Sequence, residues 1–147
     1  MKPGPEVRPE VPAFPIEPIG HVESPLTEPA EAPKQGSEGS PPAWLVFGPE
    51  YQEGLADLKV GDEILVLTWL HLADRQTLRV RPRDDQSAPL RGVFSTRSQD
   101  RPNPLGLHRV RIIDTAGPTR FQVADLEAVD GTPIIDVKPI LDADRER

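Results

Sequence analysis

The sequence predicts a mostly β protein, an antiparallel sheet of about seven short strands that curls into a barrel or sandwich, with one short helix. Three observations carry this expectation. Short apolar stretches, several alternating with period two, recur from residue 19 to residue 141, turn residues separate them, and a single segment carries helix signals. At 147 residues, 36% of them hydrophobic, the chain is long enough to build one core.

Taken in order, 11 of the 19 prolines fall in residues 1–42. Nothing in the first 15 residues repays the entropy of ordering, so a disordered Pro-rich tail is expected over 1–15 and a barrel domain over 16–147. Residues 19–24 (IGHVES) alternate and read as the first strand. Residues 29–42 (PAEAPKQGSEGSPP) have linker composition but lie between strand candidates, which makes them a long loop inside the domain. Residues 44–47 (WLVF) form a short apolar strand, and 49–58 (PEYQEGLADL) open with Pro and Glu as a brief helix does. The Val60-Gly61-Asp62 turn leads into residues 63–71 (EILVLTWLH), a buried strand by its β-branched and aromatic content. In residues 77–81 (TLRVR), Leu78 and Val80 share one face, and Arg79 and Arg81 the other. Residues 92–96 (GVFST) and 107–114 (LHRVRIID) continue the pattern, the latter with Val110 and Ile112 opposite Arg109 and Arg111. Residues 120–126 and 133–141 complete the sheet.

Composition excludes several function classes. There is no cysteine, and the three histidines, His21, His71 and His108, have no ligand spacing, so neither disulfides nor a metal is expected. The longest uncharged apolar run, residues 64–73, is about half a bilayer span, and no signal-type segment opens the chain, so a soluble cytoplasmic protein is expected. Absence of a Gly-x-Gly-x-x-Gly or Walker-type loop disfavours a doubly wound nucleotide fold, and absence of a Gly-x-Ser-x-Gly elbow disfavours a hydrolase. The net charge of −7 argues against nonspecific coating of nucleic acid. Yet from Arg75 to Arg111 nine arginines face only Asp84, Asp85 and Asp100. The guanidinium fork suits phosphate and carboxylate partners, although a solvated face neutralised by acidic neighbours gives the same pattern.

Two segments are dense enough to carry chemistry. In residues 92–106 (GVFSTRSQDRPNPLG), Pro102 and Pro104 restrict the backbone around Asn103. The stiffened loop would present Arg97, Ser98 and Arg101 in fixed directions to an anionic ligand, or serve as a crossover whose arginines pair with Asp100. In residues 130–139 (DGTPIIDVKP), Asp-Gly between apolar residues is a hairpin signal. The same turn would offer the Asp130 carboxylate, the Thr132 hydroxyl and open backbone amides to adenine or ribose edges. Asp136 and Lys138 share a face and can support one another. His71, in Trp69-Leu70-His71-Leu72, ends the most apolar strand as a rim residue or a catalyst.

The ordered set Ile19-Gly20 to Ser24-Pro25, Pro33-Lys34-Gln35, Trp69 to His71, Gly92 to Ser98 with Arg101 to Gly106, and Asp130 to Pro133 with Asp136 to Pro139 resembles the TsaA-like (TrmO or YaeB) family of tRNA methyltransferases. The resemblance covers residues 16–141. It implies a single-sheeted antiparallel β-barrel, S-adenosylmethionine as cofactor, methylation of N6 of threonylcarbamoyladenosine beside the tRNA anticodon, and a homodimer. It further implies cofactor contacts from Gln35, Gly36, Ser37, His71, Leu72, Arg97, Leu107, Asp130, Gly131, Thr132 and Pro133. The longer bacterial members continue past the barrel whereas this chain stops at Arg147, so Arg79, Arg81, Arg101 and Arg109 are the expected RNA contacts. The carbamoylated N6 is a poor nucleophile, which makes Asp130 the first and His71 the second candidate catalytic proton acceptor. Ile140 follows the Lys-Pro pair where family members commonly have Tyr, leaving open a different RNA or a small molecule as acceptor. A non-enzymatic β-barrel interaction module is the third reading.

Overall fold

The computed structural model describes residues 12–28, 39–81 and 85–141. Eight strands form: β1 (Gly20–Glu23), β2 (Ala43–Phe47), β3 (Glu63–Trp69), β4 (Arg79–Val80), β5 (Arg91–Gly92), β6 (Leu105–Thr115), β7 (Arg120–Ala124) and β8 (Pro133–Pro139). Six of them close into an antiparallel barrel in the order β1-β2-β7-β6-β3-β8, while β4 and β5 pair with each other outside it. Of the Pro-rich tail expected over 1–15, residues 1–11 lie outside the described residues, as do residues 29–38 of the long loop.

Alternation builds the core. Ile64, Val66 and Thr68 of β3 face inward, as do Gly106, His108, Val110 and Ile112 of β6, and the intervening side chains face out. Val22, Leu45, Phe47, Phe121, Val123 and Ile134 complete the lumen, with Phe47 and Phe121 meeting edge to face at 6.0 Å. Leu55 closes the end where β2 finishes and β3 begins. Leu126 and Ala128, buried in residues 125–132, close the other. No helix among the described residues is long and apolar enough to cross a membrane, and no group of acids and histidines among them is arranged to hold a metal ion.

Four expectations from the sequence change. The helix expected over 49–58 is a 3-10 turn (Pro49–Tyr51) followed by one turn of α-helix, α1 (Gln52–Leu55), neither with a side-chain cap and the latter containing Gly54. Residues 77–81 contribute only the two-residue β4, with Leu78 exposed, because their partner is the small β5 rather than the barrel. Residues 92–96 are not a strand: after Gly92 the chain turns into a 3-10 helix (Val93–Ser95), burying Val93 and exposing Phe94. The Asp-Gly turn is not a hairpin between β7 and β8, since β6 and β3 stand between those strands in the ring.

Candidate functional site

The end of β3, the start of β6 and the start of β8 meet on one rim, where Trp69 pairs with Leu105, and Thr68 with both Gly106 and Ile134. Residues 70–104 leave this rim as one long excursion that returns to it. Its two legs are laced together by the Leu70 amide donating to the Pro104 carbonyl (2.8 Å) and the Asp74 amide to Asp100 Oδ1 (2.8 Å). Arg75 stacks over Trp69 at 5.0 Å and donates to the Pro102 carbonyl (2.6 Å) and Asn103 Oδ1 (3.0 Å). Among the described residues Asp100 thus binds backbone, not an arginine.

Arg101 is the keystone of the proline-stiffened loop. Its Nε donates to the Ser98 carbonyl (2.8 Å) and its Nη2 to the Val93 and Thr96 carbonyls (2.5 Å each). Those bonds brace the 3-10 turn at Val93–Ser95 and grip the carbonyls on both sides of Arg97. Arg97 itself is exposed and has no partner among the described residues. The arginine belt divides accordingly. Arg79 and Arg81 donate to the Leu90 (3.4 Å) and Ala88 (2.6 Å) carbonyls of their own small sheet, and Arg109 pairs with Glu63 (2.8 Å). Arg91 and Arg111 are, like Arg97, unpartnered among the described residues.

At the other motif, the Asp130 amide donates to the Leu26 carbonyl (2.6 Å), that of Gly131 to Val22 (2.7 Å) and that of Thr132 to Val129 (3.2 Å). The expectation of open backbone amides at this turn is therefore corrected: those of Asp130 and Gly131 seat the turn against β1 and the segment after it, and that of Thr132 closes the turn on itself. Gly131 sits at φ 83°, a conformation that excludes most side chains. Asp130 Oδ1 accepts the Ser24 amide (3.0 Å), leaving Oδ2 directed to no protein donor among the described residues. Thr132 is buried, its hydroxyl donating to the Val129 carbonyl (2.6 Å).

The remaining expected residues distribute along the rim. His71 and Leu72 lie just beyond β3, both exposed, and the His71 ring has no partner among the described residues. Leu107 projects from the outer face of β6, 47% exposed. That face is apolar at Leu105 and Leu107 and basic at Arg109 and Arg111. Gly131 and Pro133 line a cleft of about 440 Å³ with Gly20, His21, Phe47 and Tyr51. Gln35, Gly36 and Ser37 lie outside the described residues.

One cluster escaped the sequence reading. His108, 3% exposed, holds Thr68 Oγ1 at 2.7 Å through Nε2 and Glu127 Oε1 at 2.7 Å through Nδ1. The signal was present: extending the alternation of Val110 and Ile112 back by one step places His108 inside the barrel.

Comparison with known proteins fits this architecture. A family profile described as tRNA-methyltransferase O N-terminal domain matches residues 21–144. Over 124 residues the chain is 44% identical to a probable S-adenosyl-L-methionine-binding protein of Methanothermobacter thermautotrophicus, covering 84% of this chain and 88% of that protein. An S-adenosyl-L-methionine-binding protein of Archaeoglobus fulgidus is 40% identical over 123 residues, covering 84% of this chain and 86% of that one. The crystal structure of TrmO from Pseudomonas aeruginosa superposes with a TM-score of 0.72 at 26% identity, covering 93% of this chain and 61% of that chain. This chain thus spans about three fifths of the P. aeruginosa protein. With the profile matched over residues 21–144 and these identities, the chain belongs to the tRNA-methyltransferase O N-terminal domain family.

Proposed function

We propose that the chain is an S-adenosylmethionine-dependent methyltransferase that acts on tRNA in the cytoplasm, at N6 of threonylcarbamoyladenosine beside the anticodon. The observation that carries this reading is Arg97, whose guanidinium is free among the described residues while the carbonyls on either side of it are held by Arg101. A free cation on a fixed backbone is what a ligand carboxylate needs. The donor set fits the rest of the cofactor by its chemistry: exposed Leu72 and Leu107 offer apolar contact to an adenine, and Asp130 belongs to the same site with its Oδ2 open to the reacting centre. Gln35, Gly36, Ser37, His71, Gly131, Thr132 and Pro133 belong to the same proposed site.

When bound, the cofactor supplies a sulfonium methyl already activated for displacement. The protein's contribution is then alignment and exclusion of water more than covalent chemistry. Asp130 takes up the proton of the acceptor N6–H at Oδ2 while Oδ1 keeps the Ser24 amide and so holds the carboxylate still. His71 is the second acceptor. Arg91 and Arg111 are free to meet RNA phosphates. Arg109 can exchange Glu63 for a phosphate at little cost, because the pair is 64% and 47% exposed and such pairs are worth about 0–1 kcal/mol. Arg79 and Arg81 turn part of their donors toward RNA, whereas the bonded donors of Arg101 stay with the loop.

Apart from Leu72 and Leu107, assigned above to the cofactor, the excursion exposes Leu78, Leu90 and Phe94, and β6 exposes Leu105. In this reading a second copy of the chain covers that apolar face, giving a homodimer detectable by sedimentation. The function is tested by methyl transfer to tRNA with and without the threonylcarbamoyl group. Transfer to modified tRNA alone is the expected result. Transfer independent of the modification would move the acceptor to another RNA site, in keeping with Ile140, and a protein that transfers no methyl to either would overturn the tRNA reading.

A further inference from the structure

We infer that Thr68, His108 and Glu127 form a buried clamp that positions the cofactor site, with His108 as its centre; this rests on the methyltransferase reading above. Three features point there. Each member sits on a different stretch of backbone, and each stretch carries expected cofactor residues within three positions. Thr68 precedes His71, His108 follows Leu107, and Glu127 precedes Asp130. β3 and β6 already pair side by side here, so the His108–Glu127 bond at 2.7 Å is what ties the stretch before Asp130 to them, while Thr68, also at 2.7 Å, holds the ring in place.

The second feature is the cost of placing such groups in this lumen. Thr68 is fully buried and His108 nearly so, at the end of a cylinder lined mainly by Val, Leu, Ile, Phe and Ala. Apolar residues of similar volume at these positions would pack at least as stably, since buried polar clusters seldom outperform hydrophobic replacements. The third is Gly106, between them on the inner face. A Cβ there would overlap Thr68 Oγ1 and lie 2.6 Å from His108 Nε2, so the glycine keeps open the space in which the hydroxyl and the ring meet. The hydrogen bonding is complete. As a carboxylate Glu127 accepts only, so Nδ1 carries its proton and Nε2 exchanges one hydrogen bond with the Thr68 hydroxyl.

His108 and Glu127 are positioning residues: they join the stretches that carry the site through side-chain bonds. The clamp is tested with the triple variant Thr68→Val, His108→Leu, Glu127→Leu, which leaves no member of the cluster unpaired, and with Glu127→Ala, which cuts the clamp at its 20% exposed end. The first readout needs no cofactor. Amide hydrogen exchange at Asp130, Gly131 and Thr132 is expected to quicken about tenfold or more in both variants, while the barrel strands keep native protection. The second is calorimetric titration with S-adenosylhomocysteine, whose affinity is expected to fall about tenfold in the triple variant without a matching fall in melting temperature. Glu127→Gln, which keeps an acceptor for Nδ1–H, is expected to restore both. Native exchange at residues 130–132 in Glu127→Ala and in the triple variant would overturn the clamp. Failure of the wild-type protein to bind the ligand would overturn the methyltransferase reading instead, with the exchange rates still deciding the clamp.

Discussion

Arg101→Ala removes a charged donor from three carbonyls at once, those of Val93, Thr96 and Ser98, of which Val93 keeps the Thr96 amide and hydroxyl. A hydrogen bond from a charged donor is worth about 1.5–3 kcal/mol net, and water can replace part of it at this half-buried position, so the three together come to roughly 2–4 kcal/mol. For a domain of this length that corresponds to a melting temperature lower by about 10 °C. Urea titration reads the loss directly, with an unchanged dependence on denaturant if the fold is otherwise kept. Arg101→Lys is expected to recover less than half of it, because one ammonium on a flexible stem cannot reach three carbonyls in the geometry of a planar fork. Arg97 adds a second readout: once the carbonyls of Thr96 and Ser98 are released, S-adenosylmethionine is expected to bind more weakly to Arg101→Ala even at temperatures where the variant is folded. An Arg101→Ala protein within about 0.5 kcal/mol of wild type would refute the reasoning, since a shift of that size is expected of an uninvolved surface residue.

Other substitutions probe other parts of the account. Gly106→Ala places a Cβ against Thr68 Oγ1 and 2.6 Å from His108 Nε2, and is expected to cost about 2–4 kcal/mol by overpacking and by parting that pair; calorimetric melting at the wild-type temperature would contradict it. Gly131→Ala forces a side chain into φ 83° and is expected to cost about 1–2 kcal/mol in urea titration, whereas a neutral result would mean that the turn relaxes freely. Asp85 accepts the Ser87 hydroxyl (2.7 Å) and amide (2.9 Å), which hold its carboxyl below the usual 3.8. Its stabilising contribution is present above pH 3.8 and is lost as pH falls through the lower folded value. Carboxylate titration by NMR should show Ser87→Ala moving the Asp85 midpoint up toward 3.8, and a wild-type midpoint at or above 3.8 would contradict the assignment.

The elements legible in the sequence are those whose neighbours lie in the barrel wall. Alternation in β6 places Arg109 and Arg111 outside and Val110 and Ile112 inside because a closed sheet has one wet face and one dry face, and period two is the direct consequence. Residues 92–96 misled by composition: Val, Phe and Thr favour strand, yet the Val93 carbonyl collects the Thr96 amide and hydroxyl, and Arg101, five to eight residues downstream, adds its donors to Val93 and Thr96. The Asp-Gly turn was legible as a turn, but not as a turn whose amides bind the carbonyls of Val22, Leu26 and Val129, two of which lie over 100 residues away in sequence. Among the arginines, the pattern showed a belt without showing which members are spent on backbone. That division depends on where carbonyls point, which no local pattern encodes. His108 was legible in principle from the period of β6. Its partners, at positions 68 and 127, become visible only when the ring closes.

Calorimetric titration of the purified protein and of Arg97→Ala with S-adenosylmethionine tests the central claim most directly. The account predicts saturable binding at one site per chain, weakened about tenfold or more when the guanidinium is removed. Absence of binding by the folded wild-type protein would contradict the account, as would binding that Arg97→Ala leaves unchanged.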